Sequence, residues 1–121
     1  MLLYKAEILE KAADEIMIRG KFEFALIEKK GFGYVRNGKV CAVGAIALAN
    51  GVSEWDLGLI QQYFTVPGVN EFGKFLIDHD YCDANTHSCA VYLYSDLESV
   101  SAAEIADLMR ECAKELREKG S

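Results

Sequence analysis

Ile105, Leu108, Met109, Cys112 and Leu116 recur at steps of three and four residues near the end of the chain. That spacing puts all five side chains on one face of an α-helix, because 3.6 residues complete a turn. Ser101 precedes the run and Glu104 follows three residues later, the pattern of a reciprocal N-terminal cap. A capped amphipathic helix with a wide apolar stripe must bury that stripe against another element. Across residues 3–19, Leu9, Ala12, Ala13 and Ile16 share one face, while Lys5, Glu7, Lys11 and Glu15 lie elsewhere, and Gly20 is the expected stop. A length of 121 residues, with no repeat, low-complexity segment or linker, predicts one compact domain, residues 1–121.

The intervening sequence predicts smaller elements. "KFEFALIE" alternates, with Phe22, Phe24 and Leu26 on one side, and "FGYVRNGKV" carries an Asn-Gly turn signal. Together they predict a small β-hairpin after the first helix. "CAVGAIALANG", residues 41–51, predicts a buried helix in which Gly44 and Ala45 admit a close neighbour. Ser53 with Asp56 opens another helix, whose Trp55, Leu59 and Tyr63 on one face and Leu57, Ile60 and Phe64 on another imply cover on most sides. Pro67-Gly68 breaks the chain, and Asn70 is placed to cap a short helix carrying Phe72, Phe75 and Leu76. "CAVYLY", residues 89–94, is apolar and β-prone, with a helix end as the alternative. Glu115 and Lys119 are spaced for an i,i+4 pair. The expected class is α+β, mainly helical, with four to five helices and one small hairpin.

Charge narrows the function. The net charge is −6, and Lys29-Lys30 is the only adjacent basic pair. Broad contact with a phosphate backbone relies on clustered Lys and Arg, so nucleic acid is disfavoured as a partner. No apolar run reaches the roughly 20 residues of a membrane span, and charge appears by Lys5, which argues against a signal peptide and for a cytoplasmic protein. Its four cysteines are then expected as free thiols.

The stretch "FLIDHDYCDANTHSC", residues 75–89, holds both histidines. His79, Cys82, His87 and Cys89 are all zinc-ligand types, four in number, but packed more tightly in sequence than the two separated pairs of ordinary structural sites. Zinc is the only cofactor they suggest; otherwise none is expected. The Asp78 and Asp80 pattern begins like a calcium loop but lacks its glycine and its closing glutamate. Cys41 falls where a helix N-terminus would lower a thiol pKa, with a histidine as potential base, although its neighbours are strongly apolar. Tyr94 and Asp96, before the last helix, are candidates for ligand or partner contact; a turn-fixing role for Asp96 is the plainer alternative. No phosphate loop and no nucleophile-elbow or zinc-protease motif is present. Tyr63, Phe64, Phe72, Phe75, Tyr81, Tyr92 and Tyr94 crowd the second half, and any that stay exposed would mark an interaction face.

Three segments, "ILEKAADEIMIRG", "NGKVCAVGAIALANG" and "VYLYSDLESVSAAEIADLMREC", together resemble a family of small bacterial and bacteriophage proteins with no assigned activity. The family favours Trp-Asn-Asp where this chain has Tyr94-Ser95-Asp96, so only Asp96 matches there. The resemblance implies an accessory role, anti-defence or host takeover among them, and supplies no reaction. The reading is a non-enzymatic domain that binds a protein partner or itself. The alternatives are a small-ligand or metal-binding domain, enzymatic or not, centred on residues 78–96, and a purely structural part of a larger assembly.

Overall fold

The computed structural model describes residues 5–22, 26–30, 33–59 and 66–119. In chain order these form α1 (Lys5–Arg19), β1 (Lys29–Lys30), β2 (Gly33–Tyr34), α2 (Ala42–Ala49), α3 (Glu54–Leu59), α4 (Val69–Asp78), α5 (His87–Ser95) and α6 (Ala102–Glu118). The architecture is mainly helical, as the two terminal stripes require. Six helices replace the expected four to five among the described residues.

The two terminal helices pack together. Asp14 meets Arg110 at 3.2 Å, and Glu10 pairs with Arg117 a turn or two further along. Position falls on α1 as it rises on α6, so the helices run antiparallel. Their facing residues, Leu9, Ala12, Ala13 and Ile16 against Ile105, Leu108, Met109 and Cys112, are buried. Alanines on α1 keep that interface close. Ser101 caps α6 by accepting the Glu104 N–H at 3.2 Å. Gly20 ends α1 in the left-handed region at φ +92°, its N–H returning to the Ile16 carbonyl.

Helix α2 is the buried centre: Ala42 to Ala47 are all inaccessible to solvent. A β-carbon on Gly44 would stand 2.0 Å from the Leu26 carbonyl oxygen. The close neighbour expected at Gly44 is therefore loop backbone. Helices α4 and α5 meet in a similar way, with Gly73 directly against the His87 carbonyl. Buried side chains from all six helices, with Leu26, Ile27 and Val40, join one apolar cluster.

Two expectations are corrected, and one open choice is decided. The α+β class and its hairpin give way to a helical frame, because β1 and β2 pair over two residues each, Lys29 with Tyr34 and Lys30 with Gly33. A ladder that short builds no sheet. The flanking chain is held by single bridges at Val40, whose N–H bonds to the Gly20 carbonyl and whose carbonyl accepts from Phe22. Leu26, Ile27 and Val40 spend their side chains on the helical core instead of on each other. Second, residues 89–94 lie inside α5, because Thr86 caps it by accepting the Cys89 N–H at 3.1 Å. Third, α4 is opened by Gly68 at φ +103°, whose N–H donates to the Glu71 carboxylate at 3.1 Å, and Asn70 lies exposed within the helix. The capping of α3 matches its pattern, with the Asp56 N–H on the Ser53 hydroxyl. Yet Trp55 stands out in solvent while Leu57 is buried; Ile60, Tyr63 and Phe64 lie outside the described residues.

Candidate functional site

The Asp/His/Cys stretch is spread over three local structures. His79 ends α4, with its ring 4.4 Å from that of Phe75 and its Nε2 2.7 Å from the Glu115 carboxylate. Glu115 thus serves His79, where an i,i+4 pair with Lys119 was expected. Cys82 is half-buried in the following loop, and burial pushes its thiol pKa up. His87 and Cys89 are exposed on the first turn of α5, and the His87 backbone is what packs on Gly73. No group of three or more His, Cys, Asp or Glu side chains converges as a metal site among the described residues. Asp78 is engaged by Lys74 at 2.5 Å, which holds its carboxyl below the ordinary range.

Cys41 is the N-cap of α2, and its sulfur accepts the Gly44 N–H at 3.4 Å. The helix end should favour the thiolate, but desolvation dominates and pushes the thiol to about 11. Cys112 is pushed to about 12, first by burial and then by Glu115 and Glu71. Neither is a nucleophile near neutral pH.

Tyr94 and Asp96 are not brought together. Tyr94 is buried at 7% exposure and meets Tyr81 edge-on at 6.1 Å. Asp96 is the half-buried C-cap of α5, its N–H returning to the Tyr92 carbonyl at 3.0 Å. Two residues apart on a helix end, they project to opposite sides. The residue between them carries the structural role: the fully buried Ser95 hydroxyl accepts the Ala42 N–H at 3.0 Å, satisfying the first turn of α2 from another helix.

Concave space lies elsewhere. An open groove of about 500 Å³ runs between α1 and the end of α2, beside Lys11, Asp14, Glu15 and Leu48–Gly51. Its carboxylates are committed, Asp14 to Arg110 and Glu15 to Arg19. A pocket of about 70 Å³ near Cys112 is bordered by alternating Lys and Glu side chains.

An exposed aromatic corner lies where α3 meets the short β ladder. Trp55 is 62% exposed, and its ring stands edge-to-face with Tyr34, 76° between planes and 6.5 Å between centres. The corner is held from behind. Arg19, only 13% exposed, donates to the Glu15 and Glu54 carboxylates and to the Gly38 carbonyl. Glu54 also accepts the Asn37 N–H at 2.9 Å. Burial opposes the Arg19 charge, but the two carboxylates outweigh it and hold its pKa above the ordinary value. This clamp fastens the turn at Val35–Gly38, where Asn37 takes φ +55°, to the N-terminus of α3. Lys29 sits directly across the ladder from Tyr34, hence on the same face, and Arg36 is exposed in the turn. Sequence patterning had assigned Trp55 to a covered helix face; the one available signal was its position among Ser53, Glu54 and Asp56, a polar first turn.

Comparison with protein-family models, with curated proteins and with solved structures returned no match.

Proposed function

We infer that this chain is a non-enzymatic interaction domain that docks a protein partner through the Tyr34–Trp55 corner. The observation that carries this reading is the exposure of the chain's single tryptophan on a rigidly supported surface. A large apolar ring left in water brings no folding stability, and Trp, Tyr and Arg are the residues that dominate binding energy at protein interfaces. The buried thiols at Cys41 and Cys112, pushed up to about 11 and 12, weigh against a cysteine nucleophile at either position. An accessory role in a bacterial or bacteriophage setting rests on the sequence resemblance alone. The alternative centred on residues 78–96 draws no support from the placement of His79, Cys82, His87 and Cys89.

The test uses the folded chain and a Trp55→Ala variant as paired baits. A protein retained by the first, lost with the second, and rebinding the first after purification is the expected result. Identical retention by both baits would sink the reading. Sedimentation of the chain alone distinguishes a second copy of itself as the partner.

A further inference from the structure

We propose that Asn37 is the chain's site of spontaneous deamidation, a slow chemical modification that releases the turn behind Tyr34 and Trp55; the chemistry stands whether or not that corner docks a partner. The side-chain amide of an asparagine is open to attack by the next backbone nitrogen when the following residue has no side chain in the way. Asn37 and Asn50 both precede glycine, whereas Asn70 and Asn85 precede Glu71 and Thr86. The sequence ranks the first two equally, and their surroundings separate them.

Asn50 is held by its own side chain. Its Nδ2 donates to the Ile46 carbonyl at 2.8 Å and to the Pro67 carbonyl at 3.0 Å, and its backbone N–H closes the last turn of α2. The nitrogen that would attack it, that of Gly51, donates to the Leu48 carbonyl at 2.9 Å. Asn37 is exposed, and its side-chain amide has no hydrogen-bond partner among the described residues. What must open there is the Gly38 N–H bond to the Val35 carbonyl, at 2.9 Å, and the Asn37 N–H bond to Glu54. Both belong to a turn on a ladder of two residue pairs, which opens locally at lower cost than the end of the buried α2. A β-carbon on Gly38 would stand 2.8 Å from the Val35 carbonyl oxygen. The glycine that lets the turn form is therefore also the one that leaves Asn37 open to attack.

In the opened turn the Gly38 nitrogen attacks Asn37 Cγ. An N–Cγ bond forms, the Cγ–Nδ2 bond breaks, and Nδ2 leaves as ammonia with the proton that the Gly38 nitrogen gives up. Water then opens the cyclic succinimide at either carbonyl, leaving aspartate or isoaspartate. Either product sets a carboxylate beside Glu54, which already holds Arg19 and the Asn37 N–H. Like charges at that separation oppose the clamp. Isoaspartate also adds a methylene to the main chain and shifts the turn.

The test holds the folded chain and a guanidinium-unfolded sample at mildly alkaline pH. Chymotryptic peptides cut after Tyr34 and Leu48 separate the two sites, and mass spectrometry follows the replacement of NH2 by OH. In the folded chain Asn37 should convert about tenfold faster than Asn50, as roughly two extra net hydrogen bonds imply. In guanidinium the two rates should converge. Asn50 converting as fast as Asn37 in the folded chain would overturn the assignment, as would Asn37 surviving there while both convert in guanidinium. The same gap persisting in guanidinium would also overturn it, because local sequence would then be the cause. Amide hydrogen exchange on the converted, repurified chain checks the consequence. Faster exchange at residues 35–38 than in the fresh chain is expected, and unchanged exchange would overturn the release of the turn.

Discussion

A single methyl group separates tolerated from forbidden at two glycines. At Gly44 and Gly73 it would collide with a backbone carbonyl, at 2.0 and 1.8 Å respectively. Backbone cannot rotate away as a side chain can, so α2 must part from the loop at Leu26, and α4 from α5. Gly44→Ala and Gly73→Ala are each expected to cost about 3 kcal/mol or more, at the upper end of overpacking penalties. Gly51 has φ +91° and open space around its Cα, so Gly51→Ala should cost only about 1–2 kcal/mol of backbone strain. Urea denaturation of the three variants checks the order. The cysteines give a second prediction at this scale. The thiols of Cys41 and Cys112 ionise at about 11 and 12 when folded, against 9.0 for an ordinary thiol. Above pH 9 the unfolded chain loses these protons first. Stability is therefore full below about pH 9 and falls as pH climbs toward 11, by at most about 1.4 kcal/mol per pH unit for each thiol. Urea midpoints at rising pH should show this, with a shallower fall in Cys112→Ala. At neutral pH a thiol reagent should label the exposed Cys89 well before Cys41 or Cys112.

Among the elements, α2 and α5 depend on one another more than on their own propensities. The N-terminus of α2 sits in the apolar centre, where an unmet N–H is costly, and Ser95 of α5 supplies the acceptor. Ser95→Ala keeps the volume nearly constant but strands the Ala42 N–H, and should destabilise by about 1–3 kcal/mol. Ser101→Ala removes an exposed cap from the longest helix and should cost about 1 kcal/mol. Chemical denaturation separates the two, and a loss from Ser95→Ala no larger than that from Ser101→Ala would contradict the buried-cap argument. The Ser101 cap and the apolar stripe of α6 were legible because both are local patterns. The helix at 87–95 was not, because "CAVYLY" suits either periodicity and the choice falls to Thr86 and to the contact between His87 and Gly73. The hairpin was over-read for the converse reason: alternation at Phe22 and Leu26 imitates a strand, but Leu26 and Ile27 are claimed by the helical core.

For the molecule as a whole, ion pairs divide by depth. Glu10–Arg117 and Asp14–Arg110 tie the terminal helices on the surface, where solvent screens them, and removing either carboxylate should cost less than about 1 kcal/mol. The Arg19–Glu54 pair is mostly covered, with Glu54 only 20% exposed at its side chain, and it also binds the Asn37 N–H. Glu54→Ala should cost about 1.5–3 kcal/mol, the range for hydrogen bonds to charged groups, and loosen the turn behind Tyr34. Thermal melts of Glu10→Ala and Glu54→Ala test the contrast, and a Glu54→Ala loss as small as that of Glu10→Ala would undo the clamp. No helix among the described residues is long and apolar enough to cross a membrane, so the exposed Trp55 is not explained as part of a span.

Local sequence accounts for the two amphipathic terminal helices, the caps at Ser53 and Ser101, the helix stop at Gly20 and the burial of the alanine-rich α2. Each follows from residues within a few positions of one another, whose spacing dictates which side chains share a face. Long-range packing accounts for the exposure of Trp55, the capping of a distant helix by Ser95, the separation of Tyr94 from Asp96, and the dispersal of His79, Cys82, His87 and Cys89 over the end of α4, a loop and α5. These depend on which backbone passes close to Gly44 and Gly73 and on where Arg19 finds its carboxylates. Such contacts join residues far apart in the chain, and local periodicity carries no information about them.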